Sequence, residues 1–192
     1  VESIGLTAFG DFFSREDFTL VLPSTLKTIG QTAFFYAHIQ EIVIPAQVTT
    51  IEENAFSSNN LRSIAVADGN TAFTVKDGAL YTSDMTRLMA VTTMTVEHID
   101  VPDSVTHIDG ATFRGAASLR SVHLGKGVAD LDLRMTPFSG CTSLAEITVS
   151  SENAQYYAVD NVLFAKDGAL VHYPFEIIRV RCKDTIINAH AA

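Results

Sequence analysis

Cysteine is nearly missing from this 192-residue chain: there are two, Cys141 and Cys182. Two are too few for a disulfide framework, and neither lies in a Cys-x-x-Cys pair of the kind that binds zinc or carries thioredoxin-like chemistry. Cys141 sits in "FSGCTSL", which reads as a small buried thiol at a turn, with a single Cys141–Cys182 bridge as the alternative. Long apolar runs are missing as well. Charged residues interrupt each one well short of the eighteen or so that a membrane span needs. Val1 opens without the basic, apolar and small-residue succession of a leader, so any leader is expected to have been removed or left outside this sequence. Basic residues are scarce: 13 Lys and Arg against 22 Asp and Glu give a formal net charge of −9. A phosphate backbone or an anionic membrane surface is repelled on average, and nucleic acid is not expected as a partner.

Catalytic signatures are also lacking. There is no G-x-S-x-G elbow, H-E-x-x-H pair or glycine-rich phosphate loop, and no Cys/His arrangement that falls in one pocket. Pairs such as Asp77-Gly78 read as turns. No motif in the sequence therefore points to a catalytic residue, a metal or a cofactor.

What is present is a repeat. With 47% hydrophobic and 18% charged residues, the composition is that of a folded protein with a real core. The pattern V-x2-I-x4-F-x4or5-L-x2-I-x-V recurs along the chain. It reads Leu26, Ile29, Phe34, Ile39, Ile42, Ile44, then Val48, Ile51, Phe56, Leu61, Ile64, Val66. After an interruption it returns as Val105, Ile108, Phe113, Leu119, Val122, Leu124 and as Val128, Leu131, Phe138, Leu144, Ile147, Val149, the last with two extra residues before its Phe. Val1, Ile4 and Phe9 begin a less regular first unit, lengthened by "GDFFSREDF". The units start 22 or 23 residues apart, within the window of solenoid coils, and a coil that cannot bury its own apolar residues must stack on its neighbours. Phe34 should lie over Phe56, and Ile42 over Ile64. "LRSIAV", "LRSVHL" and "LAEITV" alternate with period two and predict half-buried strands pairing in parallel from coil to coil. The Val-x-x-Ile half predicts a second short extended segment, and the residues around each Phe a turn or 3₁₀ piece.

Two related segments, from Phe73 ("FTVKDGALYTSDMTRLMAV") and from Tyr157 ("YAVDNVLFAKDGALVHYP"), predict β-hairpin inserts. Asp167-Gly168 is the clearest turn signal, with Ser83-Asp84 in the equivalent place. The tail "IIRVRCKDTII" reads as half a repeat. The expected organisation is a single solenoid domain over 1–192: a repeat block 1–70, an insert at about 71–95, a repeat block 96–153, and a second insert with a partial C-terminal repeat over 154–192.

These residues resemble the BspA-like leucine-rich-repeat family. The likeness rests on "LKTIGQTAFFYAHIQEIVIPAQVTTIEENAF", on "FSGCTSLAEITV" and on the "DGALY" and "DGALVHYP" inserts. The string I-x-I-P-x-x-V-x-x-I-x-x-x-A-F runs almost intact from Ile42 to Phe56. The resemblance implies a right-handed, strand-rich α/β-type solenoid on secreted or cell-surface proteins, mostly of host-associated bacteria, with adhesion or binding to host matrix or cells for some members. It supplies no catalytic residues. Leu6-Thr7, Asp109-Gly110, the long first loop and a tail without a final A-F depart from the pattern.

The strand pattern also locates a candidate site. Where the isoleucines face the core, the residues on either side of the middle Ile face outward. Coil by coil these are Glu41 and Val43, Ser63 and Ala65, His98 and Asp100, Ser121 and His123, and Glu146 and Thr148. Strands about 4.8 Å apart should set His98, Ser121 and Glu146 in one row and Asp100, His123 and Thr148 in the next. Three readings of this patch stand side by side: a surface that recognises a polar protein or glycan, a solvated face with a weak Asp100–His123 pair, and a zinc or nickel site. Tyr156, Tyr157, Phe164 and Tyr173 read either as a carbohydrate platform or as aromatics packed over a neighbouring coil. His38, His107, His172 and His190 read as scattered, partly exposed repeat positions. The expected function is a non-enzymatic binding module using the curved strand face. The alternatives are a spacer that projects another domain and a metal-dependent hydrolase built on His98, Asp100, His123 and Glu146.

Overall fold

The computed structural model describes residues 1–10, 18–57 and 60–173. Cys182, His190 and the expected partial repeat lie outside these residues, as does most of the long first loop. The first block holds β1 (Ser3–Ile4), β2 (Phe18–Leu20), β3 (Thr28–Ile29), β4 (Ile39–Ile44), β5 (Thr50–Ile51) and β6 (Ser63–Val66). A meander follows, with β7 (Phe73–Lys76), β8 (Ala79–Thr82) and β9 (Arg87–Val91). The second block holds β10 (His98–Val101), β11 (His107–Ile108), β12 (Ser121–Leu124), β13 (Asp130–Leu131) and β14 (Glu146–Val149). A second meander closes the series with β15 (Tyr156–Val159), β16 (Val162–Ala165) and β17 (Leu170–His172).

Each coil contributes a short strand to one ladder and a longer one to another. The longer strands pair in parallel as β2-β4-β6 and β10-β12-β14, and the short ones as β1-β3-β5 and β9-β11-β13. Six coils result. The only helical element among the described residues is a 3₁₀ turn at Leu133–Met135, where two extra residues precede Phe138. The expected α/β-type label is corrected to a β-solenoid. A coil of this length, holding two extended segments and two corners, leaves no room for a helix at 1.5 Å per residue.

The register follows the apolar pattern. Ile42 pairs with Ile64, and Phe9, Phe34 and Phe56 stack with ring centroids 5.4 and 5.7 Å apart. Phe113 and Phe138 stack at 5.1 Å. The residue two before each of Phe9, Phe34, Phe56 and Phe138 has a positive φ, with Thr7, Thr32, Asn54 and Thr136 between 49° and 58°. A β-branched residue there is strained. The stacked coil holds it in place, since Thr7 N–H donates to Gln31 O at 3.1 Å and Phe9 N–H to Ala33 O at 2.8 Å.

The interruptions differ from simple hairpins: each is a three-stranded antiparallel meander. The first turn of each has two successive positive φ residues, Asp77-Gly78 and Asp160-Asn161, the backbone that matches strand twist in a two-residue loop. The third strand has a physical reason. A two-stranded hairpin would return the chain to the ladder it left, whereas β9 carries it across to pair in parallel with β11 and so begins the next coil.

The first meander also divides the interior. Phe73, Leu80, Met89 and Ala90 pack into the core of the first block. Ala79, Tyr81, Leu88 and Val91 pack into that of the second. The alternation is period two except at Met89, where a β-bulge puts two successive residues on one side. The sheet is thus a wall buried on both faces.

Candidate functional site

The strand face carries the predicted rows. His98 pairs with Ser121 and Ser121 with Glu146, and Asp100 pairs with His123 and His123 with Thr148. In the first block Thr19, Glu41 and Ser63 are in register, with Val43 opposite Ala65. Glu41, Ser63, His98, Asp100 and Glu146 are exposed, and Ser121, His123 and Thr148 are half-buried. Hydrogen bonds tie the rows together. His98 Nδ1 shares one with Ser121 Oγ at 2.8 Å, His123 Nδ1 one with Thr148 Oγ1 at 2.9 Å, and Thr19 Oγ1 donates to Glu41 Oε2 at 3.2 Å. Each hydroxyl is on the strand next to its partner, so the ladder itself fixes these side chains.

Two of the alternatives raised for this patch are not seen among the described residues. Asp100 and His123 form no ion pair among those of the described residues, because the His123 ring turns to the Thr148 hydroxyl on the next strand. No group of three or more His, Cys, Asp or Glu side chains among the described residues is placed to hold a metal ion. His98, Asp100, His123 and Glu146 therefore make no such group.

The two halves of the face differ in chemistry. A groove of about 270 Å³ in the first block is lined by Leu20, Val21, Val43 and Pro45 together with Thr19, Glu41 and Ser63. In the second block the corresponding positions carry His98, Asp100, His123 and Glu146.

The opposite ladder holds a network the repeat pattern does not announce. Arg87, on β9, donates from Nε to Asp109 Oδ1 at 2.6 Å and from Nη2 to Asp109 Oδ2 at 2.8 Å. Its Nη1 donates to Ile51 O at 2.9 Å. Asp109 is buried and also accepts the Asn54 N–H at 3.0 Å, while Asn54 Oδ1 accepts the Ala111 N–H. A guanidinium and a carboxylate thus bridge the two blocks where the ladder of short strands breaks between β5 and β9. The irregular Asp109-Gly110 is the sequence trace of this joint. Gly110 belongs to it too, because a Cβ there would lie 2.8 Å from Met135 Cβ.

Beside the joint lies a groove of about 590 Å³, lined by Gln31, Thr50, Glu52, Glu53, Arg87, His107 and Asp130. His107 Nδ1 meets Asp130 Oδ2 at 2.9 Å, and Nε2 lies 3.5 Å from Asp109 Oδ1 and 3.9 Å from Glu53 Oε1. The hydrogen bond to Asp109 and the nearby negative charge raise its pKa, against the opposing effect of burial. His107 is therefore more than a scattered repeat position. His172 is half-buried: its ring packs 4.8 Å from that of Phe138, and burial pushes its pKa down to about 4.

Two asparagines were not anticipated. Asn70 Nδ2 donates to Pro45 O and Val48 O while its Oδ1 accepts the Ala72 and Phe73 N–H groups. Asn153 repeats this with Gly125 O, Val128 O and the Gln155 and Tyr156 N–H groups. Each pins the start of a meander to the coil below. The signal available was the Asn three residues before Phe73 and before Tyr156.

Tyr156 is buried and its hydroxyl accepts the Leu131 N–H at 3.2 Å, so it packs over the neighbouring coil. Tyr157 and Phe164 stack at 5.3 Å on the outer side of the meander. Cys141 carries a free, buried thiol whose Sγ donates to Phe113 O. Burial pushes its pKa up to about 12, which suits the expected buried turn thiol. No helix among the described residues is long and apolar enough to cross a membrane.

Comparison with known proteins agrees with this architecture. No curated protein matches the chain significantly. Among solved structures, the pneumococcal vaccine antigen PcpA is similar, with 22% identity over 77% of this chain and 42% of that one and a TM-score of 0.60. A leucine-rich repeat protein from Eubacterium ventriosum has 21% identity over 69% of this chain and 41% of its own, with a TM-score of 0.54. A leucine-rich cell surface protein from Faecalibacterium prausnitzii has 22% identity over 77% of this chain and 51% of its own, with a TM-score of 0.50. The chain thus matches about half or less of each of these structures, and at such identity the likeness is one of fold. The BspA-type leucine-rich repeat model matches residues 1–95 and 90–170 in six copies. Six stacked coils with in-register Ile and Phe ladders are the physical form of those six copies, and the chain belongs to the BspA-type leucine-rich-repeat family.

Proposed function

We propose that this chain is a non-enzymatic binding or adhesion module of a secreted or cell-surface bacterial protein, a right-handed solenoid whose strand face holds a protein or glycan partner such as host matrix. On this reading the chain is one solenoid domain. Repeat blocks 1–70 and 96–153 supply the face, and the inserts at about 71–95 and within 154–192 divide and close it. The observation that carries the proposal is the pair of in-register rows through His98, Ser121 and Glu146 and through Asp100, His123 and Thr148, held on parallel strands, with His98, Asp100 and Glu146 exposed and the other three half-buried. Rows at a fixed strand spacing offer repeated polar contacts with little side-chain entropy left to lose on binding, which is the advantage of a preorganised surface. Glu41 and Ser63, beside the apolar groove at Val21 and Val43, extend the surface into the first block.

The test is surface binding of the purified chain to a panel of matrix proteins, mucins and glycans, beside a His98/Asp100/His123/Glu146 quadruple alanine variant. Saturable binding that the variant loses supports recognition on the strand face. Binding that survives in the variant, or no binding to any member of the panel, removes the strand face as the recognition surface and favours a spacer.

A further inference from the structure

At the corner between each Phe and the longer strand that follows, the two blocks use different residues for the same backbone. Two positions after Phe113 and after Phe138 stand Gly115 and Gly140, with φ of 80° and 82°. Glycine is the ordinary residue for that conformation. Two positions after Phe34 stands Tyr36, with φ of 52°, and His38 has φ of 57°. The conformation itself belongs to the stack, since Tyr36 N–H donates to Ser57 O at 3.2 Å as Gly115 N–H donates to Ser139 O at 2.8 Å. The choice of tyrosine does not. Strain that glycine would relieve is of the kind that gathers at binding sites.

Tyr36 reaches across to the second block. Its hydroxyl accepts a hydrogen bond from Arg114 Nη2 at 3.1 Å, and Arg114 Cζ lies 5.8 Å from the ring centroid. Arg87 and Arg120 each pair with a carboxylate. Arg114 is half-buried, yet it has no Asp or Glu partner among the described residues. Only the Tyr36 hydroxyl takes an N–H of its guanidinium there, and that hydroxyl keeps its own proton to donate. His38 is also half-buried, and its ring has no hydrogen bond among the described residues.

Tyr36, His38 and Arg114 line one groove of about 310 Å³ together with Gly115, Ser139 and Gly140. The two glycines lie close, since a Cβ at Gly140 would be 3.1 Å from Gly115 Cα. The chain has a formal net charge of −9, and no Asp or Glu is among the described residues of this lining. The groove beside Arg87 has Glu52, Glu53 and Asp130, and the one at Val43 has Glu41.

We propose that the groove between Tyr36, His38 and Arg114 is a binding site for a carboxylated sugar, a uronic or sialic acid residue of a glycan. The guanidinium takes the carboxylate, which its planar fork matches. The Tyr36 hydroxyl, the His38 ring and Ser139 Oγ supply neutral partners for sugar hydroxyls, and the glycines let the sugar ring approach the backbone. The volume is at the small end of ligand pockets, roughly 300–1,000 Å³, and suits a single sugar residue. One guanidinium neutralises one carboxylate, and a peptide with several acidic residues is repelled by the rest of the chain. The site shares no residue with the strand rows and does not rest on their role in recognition.

Titration of the isotope-labelled full chain with the methyl glycosides of glucuronic acid and N-acetylneuraminic acid, read by NMR at the Gly115 and Gly140 amides, tests this. Saturable shifts of both amides with at least one acidic sugar, and none with neutral methyl glucoside, are expected. Arg114→Gln should weaken binding at least about tenfold. Tyr36→Gly, which installs the residue the second block uses, should weaken it too. The Gly69 and Gly78 amides should stay in place in both variants, which separates lost binding from lost folding. The His98/Asp100/His123/Glu146 quadruple alanine variant should bind the sugar as the parent does, so failure of the strand face and failure of this site are told apart. No shift at either glycine with either acidic sugar overturns the proposal, as does binding that both variants retain. Shifts with acetate or an acetylated diglutamate as strong as with the sugars overturn it in favour of a general carboxylate site.

Discussion

Replacing Asn153 with alanine removes four hydrogen bonds at one buried position, and the cost can be worked group by group. Two of the groups keep company: Gly125 O still accepts the Val128 N–H at 3.4 Å, and Gln155 is exposed, so water reaches its N–H. The other two are stranded. Val128 O loses the bond from Asn153 Nδ2 at 3.0 Å, and Tyr156 N–H loses Oδ1 at 2.8 Å. A buried polar group left unpaired costs about 1–3 kcal/mol, so with two such groups the variant should lose about 2–6 kcal/mol. Asn153→Asp separates the roles of the two amide atoms. A carboxylate still accepts both N–H groups but sets an anionic oxygen against the carbonyls of Gly125 and Val128, where only a protonated carboxyl can donate. Its folded pKa should therefore rise above the ordinary carboxylate value of about 3.9. The sign then follows: stability is fully present below the unfolded value and falls as pH rises through the folded one, so Asn153→Asp should be weakest at neutral pH and recover toward pH 5. Urea denaturation followed by tyrosine fluorescence suits the measurement, since the chain has no tryptophan and five tyrosines, one of them adjacent to the substitution. An Asn153→Ala variant within about 1 kcal/mol of the parent, or an Asn153→Asp variant indifferent to pH, would falsify this account of the meander anchor.

Arg87→Ala leaves the Asp109 carboxylate buried without its guanidinium and should cost about 3–5 kcal/mol. The double variant with Asp109→Ala should cost less than the sum of the singles, and additive losses in urea denaturation would show that the joint is not one network. The two histidines predict opposite slopes of stability against pH. His107 has a raised pKa in a site faced by Asp109, Asp130, Glu53 and Arg87. Its contribution is complete below the unfolded value near 6.5 and is lost as pH rises through the folded value, so His107→Gln should flatten the fall in stability above pH 6.5. His172, pushed down to about 4 by burial, favours the fold as a neutral ring. Its contribution is complete above 6.5 and is lost as pH falls toward about 4, and His172→Phe should remove that acid sensitivity in thermal melts at pH 4 to 7. A histidine variant whose pH profile matches the parent's refutes the assignment for that residue.

Much of the fold was legible in one dimension because stacking is a local rule. When every coil must present the same apolar residue at the same place, the sequence repeats its requirement, and the spacing of Ile29, Ile51, Ile108 and Leu131 states the register of a ladder before any coordinates exist. The candidate rows on the strand face were legible for the same reason: period two assigns His98, Asp100, Ser121, His123, Glu146 and Thr148 to the outside, and parallel pairing orders them. What lay beyond this reasoning was interaction between units that do not repeat. His123 turned to Thr148 rather than Asp100, a choice of rotamer that spacing does not encode.

The sequence by itself determined a stack of coils, the residues inside and outside each strand, and the places where the stack is interrupted. Those follow from a periodic pattern read along one axis. Tertiary structure alone decided that each interruption is a three-stranded meander and that the first of them separates two cores. It alone joined the blocks through Arg87, Asp109 and Asn54, and hung both meanders from Asn70 and Asn153. These contacts bring together residues 22 to 57 positions apart that occur once or twice in the chain. A contact made once leaves no period to read, and its partners are known only when the coils have been laid one upon another.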